Sequence, residues 1–161
     1  MPDAKRAFGL WLLLAAVIIV VDQVTKQWVL ENFRLHEMRP VTGFFNLVLV
    51  YNSGAAFSFL AGAGGWQKWF FVSLALGISV WLVRLLRQHA GERLLPLAVS
   101  LILAGALGNM IDRLRFDAVV DFLDFHLAGY HWPAFNVADS AISVGVALML
   151  LQQWRLPKEN P

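Results

Sequence analysis

Cysteine is absent from this chain. That excludes disulfides, thiolate chemistry and every Cys-based metal site. Charge is scarce too: Asp, Glu, Lys and Arg make up 15% of the residues, against about 25% in an ordinary soluble domain. A formal net charge of only +2 gives no case for nucleic acid as a partner. No HExxH or comparable metal-ligand spacing and no GxSxG elbow occurs, and no internal repeat or low-complexity segment stands out. What fills the space is apolar: 58% hydrophobic residues with seven Trp and twelve Phe, and a mean hydropathy of +0.60. At 161 residues the expectation is one integral membrane domain over 1–161.

The first apolar run, residues 8–21, follows Lys5-Arg6 and so looks like a secretory leader. The continuation Asp22-Gln23-Val24-Thr25-Lys26 is no small-residue cleavage site, and apolar residues resume at Trp28-Val29-Leu30. A retained helix over about 8–30 is expected, with Trp11 and Trp28 placed as interface anchors near its ends. Asp22 and Lys26 lie four apart on one face of it, either as a helix-end ion pair at headgroup level or as support for a site. Three more spans are expected over about 66–86, 94–111 and 138–154. Between the first two, residues 41–51 are rich in β-branched and aromatic side chains and too short to cross as a helix. In that strand Phe45, Leu47, Leu49 and Tyr51 share one face, and Asn46, Val48 and Val50 the other. Asn52-Ser53-Gly54 is a turn signal, and residues 55–60 are candidates to continue the sheet. The fold class is therefore an all-α membrane protein of four spans, with a small extracytoplasmic β platform at about 35–62 between helices 1 and 2. Residues 113–133 read as a connecting segment.

Four spans put both termini on one side. Lys5, Arg6, Arg84, Arg87, Arg93, Arg155 and Lys158 fall there, and Lys26, Arg34, Arg39, Lys68, Arg113 and Arg115 on the other. The raw bias is slight, but the 84–93 loop is short and dense in Arg, which makes its side cytoplasmic. Helix 1 then ends outward at Asp22 and Lys26, helix 3 ends outward at Asn109, Asp112 and Arg113, and helix 4 starts there with Asn136 and Asp139. Polar helix ends alone cover one or two of these residues, not all of them. Gly105, Gly108, Asn109 and Asp112 share one side of helix 3, where the glycines permit close approach of a neighbouring helix or a ligand. Acidic residues in apolar surroundings are costly unless paired, wet or used. Two such positions stand out: the run Val119-Val120-Asp121-Phe122-Leu123-Asp124-Phe125, and Asp139 in the first turn of helix 4, where the dipole favours negative charge.

His126 and His131 with Asp124 make a weak metal set, and Ser140 beside Asp139 reads as helix packing rather than as a nucleophile. Ion transport lacks a continuous polar path, and glycosyl chemistry lacks a sugar cleft. A non-enzymatic protein that uses its polar layer as helix glue is the bland rival. The remaining use of two carboxylates is activation of water for acyl hydrolysis, with a shared proton. It needs neither metal nor cofactor. At this point either Asp121 or Asp124 could partner Asp139.

Five stretches, in order, carry a resemblance: Asp22-Gln-Val-Thr-Lys26, Asn52-Ser-Gly-Ala-Ala-Phe57, Gly105-Ala-Leu-Gly-Asn109-Met-Ile-Asp-Arg113, Val119-Val-Asp121-Phe122 and Phe135-Asn136-Val-Ala-Asp139. Together they resemble the lipoprotein signal peptidase (signal peptidase II) family of bacterial inner-membrane aspartic proteases. The resemblance implies cleavage of prolipoproteins on the N-terminal side of a diacylglyceryl-modified Cys, and inhibition by cyclic depsipeptides of the globomycin type. It selects Asp121 over Asp124 as the partner of Asp139 in the catalytic pair. It gives Asn109, Arg113 and Asn136 a site-ordering role, and Asn52, Gly54 and Phe57 a part in clamping substrate. Asp22, Lys26, Asp112, Gly105 and Gly108 become support. Its setting is the inner membrane, with the site near the periplasmic surface and membrane lipids and prolipoproteins as partners. The aromatic residues Phe122, Phe125, Tyr130, Trp132 and Phe135 are candidates to line the opening.

Overall fold

The computed structural model describes residues 2–54 and 65–155. Its elements run α1 (Pro2–Asn32), β1 (Met38–Thr42), β2 (Phe45–Asn52), α2 (Trp66–His89), α3 (Leu94–Phe116), β3 (Val119–Leu127), β4 (Tyr130–His131) and α4 (Val137–Arg155). Each helix contains a stretch long and apolar enough to cross a membrane, because nothing polar interrupts its middle. Their outer faces stay exposed and hydrophobic, as at Leu13, Val17, Val20, Trp81 and Leu150, which suits lipid rather than water as solvent.

Helix α3 is the central element. Half of its apolar window is buried, against 11–17% for the other three helices. A Cβ on Gly105 would lie 2.3 Å from the Ala138 carbonyl oxygen, and one on Gly145 would lie 2.7 Å from that of Ala98. These two glycines let α3 and α4 meet backbone to backbone. A core of Ala15, Leu82, Leu86, Val99, Leu103 and Ala104 ties α1 and α2 to α3. Trp11 is more than an anchor, since its Nε1 donates to the Ala90 carbonyl at 3.1 Å. Trp28 is half exposed.

The expected platform is there as strands β1 and β2, but it is part of a larger sheet. Residues 113–133 are not simply a connection: α3 continues to Phe116, and β3 and β4 follow, giving an antiparallel sheet of order β1-β2-β3-β4. Arg113 and Asp112 thus lie inside α3 rather than in a loop. Asp117 ends that helix in the left-handed conformation (φ 61), its N–H donating to the Arg113 carbonyl. The β2–β3 register pairs Val50 with Asp121 and Asn52 with Val119, after an irregularity between Leu47 and Val50. That irregularity breaks the expected alternation: Asn46, Val48 and Leu49 are all buried. A second core, Val29, Phe33, Leu49, Val120 and Phe122, seats the sheet on the end of α1. The expected continuation of the sheet through 55–60 lies outside the described residues.

Candidate active site

At the end of the bundle beneath the sheet, α1, α3 and α4 bring their polar residues together. Helix α4 opens with a reciprocal cap: the Asp139 N–H donates to Asn136 Oδ1 at 2.9 Å, and the Asn136 N–H donates to Asp139 Oδ2 at 3.3 Å. This is a capping box built from Asn and Asp. It fixes the Asp139 carboxylate at the helix start. The next free donor, the Ala138 N–H, is taken from across the bundle by Asp22 Oδ1 at 2.8 Å. Helix α1 thus satisfies an end group of α4 that its own chain leaves open.

Asp22 does so from a fully buried position (0% exposed) beside Lys26 (2%). The Lys26 ammonium contacts Asp22 Oδ2 at 2.9 Å and Asp112 Oδ2 at 2.8 Å, and donates to Asn109 Oδ1 at 3.0 Å. The Asp22–Lys26 pair is therefore buried within the protein rather than exposed at a helix end. Asp112 does not pair with its neighbour Arg113. It accepts instead from Lys26, from Gln23 Nε2 at 2.9 Å and from the Val120 N–H at 3.1 Å. Gly108 is bare because a Cβ there would lie 2.7 Å from Asp22 Oδ2. Gln23 was not singled out in the sequence, although its position beside Asp22 was the available signal. Its amide also donates to the Gly108 carbonyl at 3.2 Å.

Three asparagine amides converge on Asp121 and Asp139. Asn136 Nδ2 donates to Asp121 Oδ1 at 2.7 Å, Asn52 Nδ2 to Asp121 Oδ2 at 3.2 Å, and Asn109 Nδ2 to Asp139 Oδ1 at 2.7 Å. Asn136 therefore bridges the two carboxylates, with its backbone N–H on Asp139 Oδ2 and its Nδ2 on Asp121 Oδ1. Asp121 is 2% exposed and Asp139 half-buried. Burial, and after it the charge of Asp139, push the Asp121 carboxyl up from 3.8 to about 7, against the pull of the Asn52 and Asn136 hydrogen bonds. A group so placed holds or releases a proton near neutral pH, which is what acid–base work requires.

Asp124, the other acid of β3, faces elsewhere. It is buried at 5%, accepts from Asn46 Nδ2 at 2.7 Å, and lies 2.9 Å from His131 Nδ1. From β3 it thus reaches both neighbouring strands, β2 through Asn46 and β4 through His131. His126 stacks on His131 at 5.0 Å.

The pair opens into a cavity of about 960 Å³ whose walls come from α2 (Phe71, Leu74, Ile78) and α4 (Ser140, Ser143, Val144), with Ala106 and Asn109 of α3 between them. The sheet and the segment 132–136 that leads into α4 close one end with Tyr51, Asn52, Trp132 and Phe135. Of the expected aromatic lining, Trp132 and Phe135 are therefore present. Phe122 is buried in the sheet core, and Phe125 stacks between Phe44 and Phe135. Tyr130 is 85% exposed. Arg113 reaches across the cavity: its Nη2 donates to the Gly54 carbonyl at 2.8 Å, and its guanidinium lies 4.8 Å from the Phe71 ring centre. Gly54 is held in turn by its own N–H, which donates to Asn52 Oδ1 at 3.0 Å. Ser140 Oγ donates to the Asn136 carbonyl at 2.9 Å, a helix-end bond in keeping with a packing role. Phe57 lies outside the described residues.

A family profile described as Signal peptidase (SPase) II matches residues 14–155. The lipoprotein signal peptidase of Azoarcus sp. (strain BH72) is 59% identical over 151 residues, covering 94% of this chain and 86% of that one. That of Ralstonia nicotianae is 57% identical over 147 residues, covering 91% and 85%. Two solved bacterial membrane enzymes superpose closely. One, at 2.3 Å resolution, gives a TM-score of 0.82 at 35% identity, over 95% of this chain and 94% of that one. The other, at 1.9 Å, gives 0.79 at 34%, over 94% and 95%. With buried carboxylates, four spans and relatives matching over nearly their whole length, the chain belongs to the signal peptidase II family of lipoprotein signal peptidases.

Proposed function

We propose that Asp121 and Asp139 are the catalytic carboxylates with which this membrane aspartic endopeptidase removes signal peptides from prolipoproteins. The observation that carries this reading is the single residue Asn136 bonded to both carboxylates, its side-chain Nδ2 to Asp121 and its backbone N–H to Asp139, at the polar end of a cavity whose other walls are mainly apolar. One member is ionised and the other protonated. As water bonds to the scissile carbonyl carbon, it gives a proton to the ionised carboxylate. The protonated carboxyl gives its own to the carbonyl oxygen, so a neutral gem-diol forms. When the C–N bond breaks, the first carboxyl protonates the leaving nitrogen. A gem-diol hydroxyl then returns a proton to the second carboxylate, and the pair is restored.

The substrate is a prolipoprotein whose Cys carries diacylglyceryl, cut on the N-terminal side of that Cys. A cavity walled by α2 and α4 suits it, since acyl chains remain among apolar side chains while the peptide bond reaches the acids. Arg113, with Asn52 and Gly54, holds the peptide on the sheet side, and Phe57 belongs to the same clamp. Asn109 and Asn136 order the acids, while Asp22, Lys26, Asp112, Gly105 and Gly108 support them. Globomycin-type cyclic depsipeptides compete for this cavity. Both termini face the cytoplasm, which puts the site at the extracytoplasmic boundary of the inner membrane in a single domain over 1–161.

The test is cleavage of a diacylglyceryl-modified prolipoprotein by the detergent-solubilised chain and its Asp121→Asn and Asp139→Asn variants, with unmodified substrate alongside. Loss of at least about 100-fold in turnover for each variant is expected, and no cleavage of the unmodified substrate. Near-parental turnover by either folded variant would remove that residue from the pair. Equal cleavage of both substrates would remove the lipid requirement.

A further inference from the structure

We propose that Lys26 is a positioning residue for the reaction: acting through the Asn109 amide, it makes Asp139 the ionised member of the pair and hence the carboxylate that takes the proton from water. This rests on the dyad reading above and deepens it.

An asparagine amide can face either way, and which way it faces decides whether it donates or accepts. Each of the three amides at the pair is turned by a different donor on its oxygen. The Gly54 N–H turns Asn52, and the Asp139 N–H turns Asn136. Both are backbone groups fixed by the fold. Asn109 is turned by a side chain, the ammonium of Lys26 at 3.0 Å. An ammonium has three hydrogens and no lone pair, and here all three are used, on Asp22, Asp112 and Asn109. A reversed Asn109 would set its NH₂ against that ammonium, two donors facing each other in a buried site. The amide must therefore give Nδ2 to Asp139 Oδ1, at 2.7 Å. Asn136 Nδ2, at 3.3 Å from the same Asn109 oxygen, reinforces the orientation.

With that bond in place, Asp139 accepts on both oxygens, from Asn109 Nδ2 and from the Asn136 N–H, at the start of a helix. Asp121, in β3, accepts only side-chain amides in the bonds that hold it, from Asn136 and Asn52, whereas Asp139 also accepts the backbone N–H at its own helix start. Burial and the charge of Asp139 push the Asp121 carboxyl up to about 7, and the helix start behind Asp139 leaves the proton to Asp121. The charges around Asp139 are Lys26 and Asp22 from α1, Arg113 from α3 and Asp121 from β3, with Asp112 of α3 in contact with Lys26. Lys26 with Asp22 and Asp112 sums to one negative charge. The triad's net field therefore does not select an anion at Asp139; the orientation of the Asn109 donor does.

The experiment compares Lys26→Met, Asn109→Ala and the double variant as full-length protein in detergent, with a diacylglyceryl-modified prolipoprotein as substrate. Lys26→Met leaves Asp22 and Asp112 without their cation. The neutral triple variant Asp22→Asn/Lys26→Met/Asp112→Asn is therefore made as well. It keeps acceptors for the Ala138 and Val120 N–H groups. Expected is a fall in kcat of about 100-fold with KM changed less than about 3-fold, and a double variant no slower than Asn109→Ala alone. Turnover within about 3-fold of the parent in either lysine variant overturns the inference. So does a double variant whose loss is the product of the two single losses, because Lys26 would then act apart from Asn109. Failure of both lysine variants to fold also overturns it, since the role would be structural. Asp139→Asn is the control. If it stays active, the dyad reading falls and takes this inference with it; an inactive Asp139→Asn beside a fast Lys26→Met sinks this inference alone.

Discussion

Replacing Asp121 with Asn should stabilise the protein in a pH-dependent way, and the size follows from the site. The carboxyl is raised from 3.8 to about 7 in the fold. A raised carboxyl favours the folded state when protonated. That contribution is fully present below the unfolded value and is lost as pH rises through the folded one. Roughly 3 units at about 1.36 kcal/mol each make the full loss about 4 kcal/mol. At pH 5 a little under half of it has accrued, and by pH 8 nearly all, so the window between them holds about 2.5 kcal/mol. Asn at 121 keeps the volume and can accept from Asn136, but its NH₂ then faces the Asn52 amide, a pH-independent cost of about 1 kcal/mol. The variant's stability relative to the parent should thus rise by about 2.5 kcal/mol from pH 5 to pH 8. At about 2–4 °C per kcal/mol for a chain of this size, the difference in Tm changes by about 5–10 °C. Tryptophan fluorescence in detergent, with seven Trp to report, follows it without needing activity. A difference in Tm that is the same at both pH values would refute the claim that Asp121 carries the raised proton affinity.

Asp124→Asn should keep turnover within about 3-fold of the parent, because Asp124 bonds Asn46 and His131 away from the cavity; a loss as deep as that of Asp121→Asn would show the wrong acid was chosen. Gly105→Ala places a Cβ where the Ala138 oxygen would be 2.3 Å away. It should cost about 1–3 kcal/mol, read as a lowered Tm, and an unchanged Tm would deny the close α3–α4 approach. Arg113→Lys removes the planar group that spans from Gly54 to Phe71. It should raise KM several-fold with less effect on kcat, and an unchanged KM would remove Arg113 from the substrate wall.

The helices were legible because lipid imposes a long apolar run that no soluble segment resembles, and glycines at 105 and 108 announced a close contact. Strand β3 was not. Its first four residues, Val119 to Phe122, are all buried, so the alternation that marks a half-exposed strand is missing. The same burial explains why Asp121 and Asp124 looked equivalent: both are covered, one by the Asn52 and Asn136 amides and the other by Asn46 and His131. The continuation of α3 to Phe116 was hidden by Asp112, Arg113 and Arg115, which read as a polar exit until Lys26 supplies Asp112 with a partner from another helix. Motif order identified the family and chose the acids. It carried no information on which oxygen each amide would face, because that is settled by contacts between residues 83 and 30 positions apart.

Those contacts suggest why the charged support stands back from the pair. A carboxylate bonded directly to Lys or Arg is held ionised, and two such pairs would leave no proton to share. Amides bias a charge without fixing it as a cation would, so Asn52, Asn109 and Asn136 can anchor Asp121 and Asp139, and favour the anion at Asp139, while the proton moves between water, carbonyl and acid. The lysine is set one residue behind, where its partners are Asp22 and Asp112. There its charge also holds the frame: removing one member of a buried ion group typically costs about 3–5 kcal/mol, so α1 and α3, which the ions join, and α4, which Asp22 holds by the Ala138 N–H, stay fixed. The reacting acids, supported through neutral groups, remain free to trade protons within a frame that the ions hold still.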